Sequence, residues 1–259
     1  MITDAQVHLF QADTPDHPWP HEPGRGAPRV PFYTAEQMIG AMDAVGVDRA
    51  VIVPPVWAGD RNDYAFESVE KWPGRFAIMG RIDPFAPEIA ERLETWLDQP
   101  AMLGIRMSSR WGTRPELFHQ ILPSGDLDWF FGACARLEIP LKLLTRDAIK
   151  HVDGVATANP SLRIIIDHMG TVDGESVEAS FVHLEDLLAL SRHGNVNVQI
   201  STAPNYSRQA YPFEDVHPAC AVGIVDAAQA GCSGPPTSPS SARTPTPNAC
   251  ASGRKACRS

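Results

Sequence analysis

Leu162-Arg163-Ile164-Ile165-Ile166-Asp167-His168-Met169-Gly170 is the stretch on which the fold turns. Its apolar run is short, β-branched and apolar at consecutive positions. A strand covered on both faces needs that pattern, and strands of parallel sheets are covered on both faces. The run stops at a carboxylate and an imidazole. Side chains alternate along a strand, so Asp167 and His168 are expected to face opposite ways, with His168 taken as the one that points into a site.

Working outward, similar apolar runs occupy 2–10, 49–54, 75–82, 102–107, 140–144 and 195–201. Helix-like stretches separate them. Thr34 and Gln37 form a capping box ahead of Met38, Ile39, Met42 and Val45, and Gly46 is placed to end that helix. Residues 88–97 carry Ile89, Leu93 and Leu97 at helical spacing, and 126–137 and 182–191 behave similarly. Alternating strands and helices imply parallel β-α-β units. Seven strands fit an eight-fold α/β barrel of the TIM type, (β/α)8, that is incomplete at strand 8. A doubly wound open sheet is the alternative, but no Gly-x-Gly-x-x-Gly follows the first strand.

Length and charge agree with one large domain. The chain has 259 residues and a formal net charge of −9. Barrels of about 250 residues form single domains. An acidic chain disfavours phosphate backbones, so no nucleic-acid partner is expected. No apolar run approaches the ~20 residues that span a bilayer. The first residues, Met1-Ile2-Thr3-Asp4, lack the basic and apolar regions of a signal peptide, so a cytoplasmic protein with a small-molecule substrate and no membrane partner is expected. Oligomeric state is not legible. Of five cysteines, Cys134 falls in a helical stretch and reads as a small buried residue, while Cys220, Cys232, Cys250 and Cys257 match no metal-ligand spacing.

Two regions break the alternation. Residues 11–31, rich in Pro, His and Gly, follow the first strand and would lie over the C-terminal mouth of a barrel. His17 and His21 there are read as solvated loop residues. The second region begins near residue 219, and it divides the chain into a barrel of strands 1–7 over 1–218 and a low-complexity tail over 219–259. From Gly231 onward there is no aromatic residue and no Leu, Ile or Val. Such a stretch cannot offset its ordering entropy and is expected to be disordered. The eighth strand belongs here. A reading-frame shift in the gene accounts for both facts. The codons of Cys232-Ser233-Gly234-Pro235-Pro236-Thr237-Ser238, read from the last base of the first codon, can give Phe-Trp-Ala-Thr-Asp-Leu. That is an apolar strand end carrying an acid. A native low-complexity tail is the competing reading.

The groups able to do chemistry cluster at strand ends. Gln6 and His8 share one face of the first strand. Arg106 lies amid apolar residues of the fourth strand, where it needs either an anionic ligand or an internal ion pair with a strand-end acid. Lys142 in the fifth strand raises the same question. Trp57 and Asn62 follow the second strand, Ser108-Ser109-Arg110-Trp111 the fourth, and Tyr206 and Arg208 the seventh. Together these suggest a cationic, aromatic-lined pocket for a carboxylated cyclic substrate.

Asp4-Ala5-Gln6-Val7-His8-Leu9-Phe10 resembles the first-strand signature of the amidohydrolase-related, metal-dependent hydrolases, whose fold is a (β/α)8 barrel. The ordered set Gly46-Val47-Asp48-Arg49-Ala50-Val51, Met102-Leu103-Gly104-Ile105-Arg106, Ile166-Asp167-His168-Met169-Gly170 and Asn195-Val196-Asn197-Val198 extends the likeness to about residue 218. Metal-using members carry His-x-His on strand one, His on strands five and six, and Asp on strand eight. Here Gln6 replaces the first His and strand five offers Lys142, so only His8 and His168 match. Two imidazoles are a poor zinc site. The likeness therefore points to the lactonase branch, some of which works without metal, and no cofactor is expected. By this resemblance His8, Arg106 and His168 would be catalytic, holding and polarising a lactone carbonyl. Gln6, Trp57, Asn62, Lys142 and Tyr206 would bind substrate. A strand-eight Asp would be the general base, and without it activity is in doubt. Two alternatives stand beside this: a ligand-binding remnant without turnover, and a decarboxylase of the same superfamily using one divalent metal ion, Zn, on His8 and His168.

Overall fold

The computed structural model describes residues 1–19, 30–108 and 118–221. Seven strands form one all-parallel sheet in sequence order: β1 (Thr3–Val7), β2 (Arg49–Ile52), β3 (Phe76–Gly80), β4 (Met102–Met107), β5 (Leu141–Leu143), β6 (Ile164–Ile166) and β7 (Val196–Val198). Each expected run contains its strand; β4 fills its run, and the other strands are shorter than theirs. Among the described residues eight α-helices lie between these strands: α1 (Ala35–Val45), α2 (Asp63–Lys71), α3 (Ile89–Glu94), α4 (Phe118–Ile121), α5 (Asp128–Arg136), α6 (Ile149–Ala158), α7 (Val177–Ser180) and α8 (Leu184–Ala189).

The sheet curls into an incomplete (β/α)8 barrel. Side chains that cross its interior record the curvature. Lys142 Nζ on β5 lies 3.4 Å from the Ala5 carbonyl on β1, and Gln6 Nε2 on β1 lies 3.3 Å from His168 Nε2 beyond β6. Among the described residues β1 pairs only with β2 and β7 only with β6. The proposed eighth strand, and Cys232, Cys250 and Cys257, lie outside the described residues.

Both faces of the central strands are packed. Phe76, Ile78, Ile105, Met107, Leu141, Leu143, Ile164 and Ile166 are buried on one face, and Met79, Arg106 and Lys142 are buried on the other. Gly104 lets β4 and β5 approach. A Cβ there would stand 2.4 Å from the Pro140 carbonyl oxygen, inside any permitted contact. Helix α1 begins as the sequence indicates: the Thr34 side chain accepts from Gln37 N, the Gln37 side chain accepts from Thr34 N, and Gly46 ends the helix at φ 74°. Cys134 is fully buried in α5, and desolvation pushes its thiol up to about 12.

Two expectations fail here. Helix α3 stops at Glu94, so Leu97 is exposed and Trp96 fills the buried position, with its Nε1 donating to the Gly104 carbonyl. Alternation also fails beyond β6. His168 and Met169 take left-handed conformations, φ 51° and 56°, and the resulting turn sends both Asp167 and His168 toward the barrel interior.

Among the described residues no helix is long and apolar enough to cross a membrane.

Candidate active site

The C-terminal ends of the strands, where barrel sites form, enclose a cavity of about 240 Å³. His8, Arg106, His168, Trp57 and Tyr206 line it, joined by Arg146, Thr202 and Asn205. Five of the eight residues anticipated from sequence therefore meet at one place. Gln6 and Lys142 sit just behind the wall, each touching a group that serves it.

The floor is an ion cluster. Arg106 donates through Nε and Nη2 to one oxygen of Asp167, at 3.2 and 3.1 Å. Lys142 Nζ stands 3.5 Å from the other oxygen. All three side chains are at most 3% exposed. The internal ion pair foreseen for Arg106 exists, and its partner Asp167 was not singled out. Two cations face one carboxylate. Burial drives Lys142 down to about 8 despite Asp167, with Arg106 pushing in the same direction as burial. Arg106 Nη1 makes no hydrogen bond to the described residues, and it belongs to a side chain that borders the cavity.

The two imidazoles are held differently. His8 Nδ1 lies 2.7 Å from the Val53 carbonyl at the end of β2. A carbonyl oxygen only accepts, so Nδ1 carries the hydrogen and Nε2 keeps a lone pair. Burial, opposed by the Val53 bond and aided by the charge of Arg106, lowers His8 to about 4, so the ring is neutral at pH 7. Trp57, in a short 3-10 turn at Val56–Ala58, meets the His8 ring edge-on at 6.0 Å and Phe10 at 5.4 Å. His168 uses both nitrogens on protein: the Gln6 amide donates to Nε2, and Nδ1 lies 2.8 Å from Ser201 Oγ. Its pKa is also lowered, first by burial.

Asn62 is not at the cavity. Its amide donates to the Arg81 carbonyl at 2.8 Å and accepts from the Arg81 N–H at 2.7 Å, so both ends are spent on backbone at the exit of β3. Ser108 accepts from Arg81, which also pairs with Asp60 at 2.7 Å. Arg208 donates to the Gly174 carbonyl, away from the cavity lining. His17 N–H donates to the Thr14 carbonyl within a surface turn. His21, Ser109, Arg110 and Trp111 lie outside the described residues. Arg146 was missed. It follows β5 at φ 43° and pairs with Asp173 at 2.9 Å on the rim.

A metal fits poorly. Among the described residues no group of three or more His, Cys, Asp and Glu could hold an ion. The first-strand position offers an amide and the fifth an ammonium, which repels a cation.

Comparison with known proteins agrees with this architecture. The chain is 25% identical over 229 residues to a 4-sulfomuconolactone hydrolase from Hydrogenophaga intermedia, covering 83% of this chain and 67% of that protein. A probable 2-pyrone-4,6-dicarboxylic acid hydrolase from Acinetobacter baumannii with citric acid bound shares the fold at TM-score 0.67 and 18% identity, over 89% of this chain and 79% of that one. A zinc-bound amidohydrolase from Burkholderia multivorans matches at TM-score 0.68 and 16% identity, over 88% and 80%. A 2,6-dihydroxybenzoate decarboxylase from Rhizobium matches at TM-score 0.56 and 14% identity, over 87% and 85%. The amidohydrolase family model matches residues 3–229, and the chain belongs to that family of hydrolases.

Proposed function

We propose that this chain opens a lactone, or a similar cyclic ester, of a carboxylated small molecule by attack of water. The observation that carries the reading is the charge at the cavity floor: Arg106 and Lys142 share Asp167 as the one carboxylate within ion-pair distance among the described residues, with neutral imidazoles beside them. A buried excess of positive charge is costly unless an anion completes it. Arg106 Nη1 has two N–H donors left for a carboxylate or for the oxygen of a reacting carbonyl. Trp57 and Tyr206 offer flat walls for a ring. The name of the Hydrogenophaga relative, a lactone hydrolase, supports the same reaction class.

In this reading Arg106 stabilises the oxyanion as water adds to the carbonyl, and Asp167, faced on its other oxygen by Lys142, holds the guanidinium in place. The reaction uses no resident metal, because the donor set is an amide, an ammonium and two imidazoles with at least three of the four ring nitrogens already committed. Purified full-length chain, freed of metal by chelation, should hydrolyse members of a panel of carboxylated lactones. Loss of all turnover on chelation, restored by one equivalent of zinc, would favour the metal-dependent alternative. Binding of citrate by calorimetry with no turnover on any lactone would favour a ligand-binding remnant.

A further inference from the structure

Opening a lactone with water needs an acceptor for the water's proton, and no described residue that lines the cavity carries a carboxylate. We infer that His8 Nε2 is that acceptor. The inference rests on the lactone-opening reading and adds a catalytic residue to it.

Three observations converge. The Val53 carbonyl fixes the hydrogen on Nδ1 and leaves Nε2 bare. Nε2 has no partner among the described residues, and the ring borders the cavity that Arg106 also borders. His168 cannot do the same, since Gln6 and Ser201 occupy both of its nitrogens. The charged groups around the His8 ring are Arg106 and Asp167, with His168 the third titratable neighbour. A carboxylate bound at Arg106 would offset the positive charge that now opposes protonation of the ring.

The step balances. Water oxygen bonds to the carbonyl carbon while one water proton moves to Nε2, and the carbonyl oxygen becomes an oxyanion held by Arg106. The intermediate then collapses, the ring C–O bond breaks, and the departing oxygen takes the proton from Nε2. One water is consumed, and one hydroxy or enol acid leaves. Oriented general-base help of this kind is worth about 10²–10⁴-fold. The Val53 bond serves as the orienting partner that such a base requires.

Two measurements test this on the full chain. Nitrogen-15 NMR of histidine-labelled protein at pH 7 should show His8 with a protonated Nδ1 and a bare Nε2. The opposite tautomer overturns the inference whatever the turnover. His8→Ala should lower kcat by about 100-fold or more with KM changed only a few-fold, and added imidazoles should restore rate in order of their basicity. His8→Gln, which fills the site without a basic nitrogen, should be equally slow and unrescued. Wild-type rates in either variant, or failure of every imidazole to rescue a folded His8→Ala, overturn the inference and leave the lactonase reading intact. Absence of turnover by the unaltered chain on every lactone removes both.

Discussion

Arg106 and Asp167 are joined through two guanidinium nitrogens onto a single carboxylate oxygen, and this leaves the other oxygen to Lys142 and the third nitrogen to the cavity. The pair neutralises a buried arginine, and it aims that arginine's spare donors at the ligand space. Removing one partner of a buried pair costs about 3–5 kcal/mol, because the survivor stays buried and under-compensated. Arg106→Met is therefore expected to lose about that much stability in chemical denaturation and to lose turnover of a carboxylated lactone. Unchanged stability would mean that Asp167 is satisfied without it.

The His8 ring should make stability pH-dependent. Its folded value, about 4, lies below the ordinary 6.5, so the unfolded chain binds the proton more readily. Stability then falls as pH drops from about 6.5 toward 4, by up to about 3 kcal/mol from this group. Carboxylates also titrate in the lower part of that window. The discriminating quantity is the difference between wild type and His8→Gln: the variant should show a shallower decline from pH 6.5 to 5. Parallel curves would contradict the burial argument.

Lys142 gives a second pH signature, at the alkaline end. Its value near 8 means the ammonium is lost as pH rises through 8, and with it one of the two cations at the cavity floor. KM for a carboxylated lactone should rise across pH 7–9, and Lys142→Met should show a high KM with little pH dependence over that range. Stability moves the other way. The unfolded chain keeps the proton to about 10.5, so folding becomes more favourable as pH rises from 8 to 10.5. Steady-state kinetics at several pH values check the first statement, and denaturation of wild type against Lys142→Met checks the second.

Asn62 should behave as a fold residue. Its amide closes two hydrogen bonds on the Arg81 backbone. Asn62→Ala is expected to cost about 1–3 kcal/mol, from bonds worth about 0.5–1.5 kcal/mol each. KM for a carboxylated lactone should stay within a few-fold of wild type. A large rise in KM without destabilisation would return Asn62 to the binding site.

The strands were legible because a parallel sheet under helices demands apolar residues on both faces, and few other structures do. The capping box at Thr34 and Gln37 was legible because it is local. Other features depend on contacts that no local pattern records. The turn after β6 breaks alternation through left-handed residues at His168 and Met169, which period-two reasoning cannot anticipate. Asn62 was misplaced because loop amides often bond backbone that is distant in sequence, here Arg81. Arg146 sits in a connection with no periodicity to mark it. His8 was expected at a site from its strand position, but its hydrogen is set by a carbonyl just past the neighbouring strand, 45 positions away.

The central claim is that a buried cationic floor selects and opens a carboxylated ring ester. The most direct measurement compares kcat/KM of the full chain for a carboxylated lactone and for the methyl ester of the same lactone. The free acid should be preferred by about 10- to 100-fold, the worth of one charge-assisted hydrogen bond. Equal rates for the two, or a preference for the ester, would contradict it.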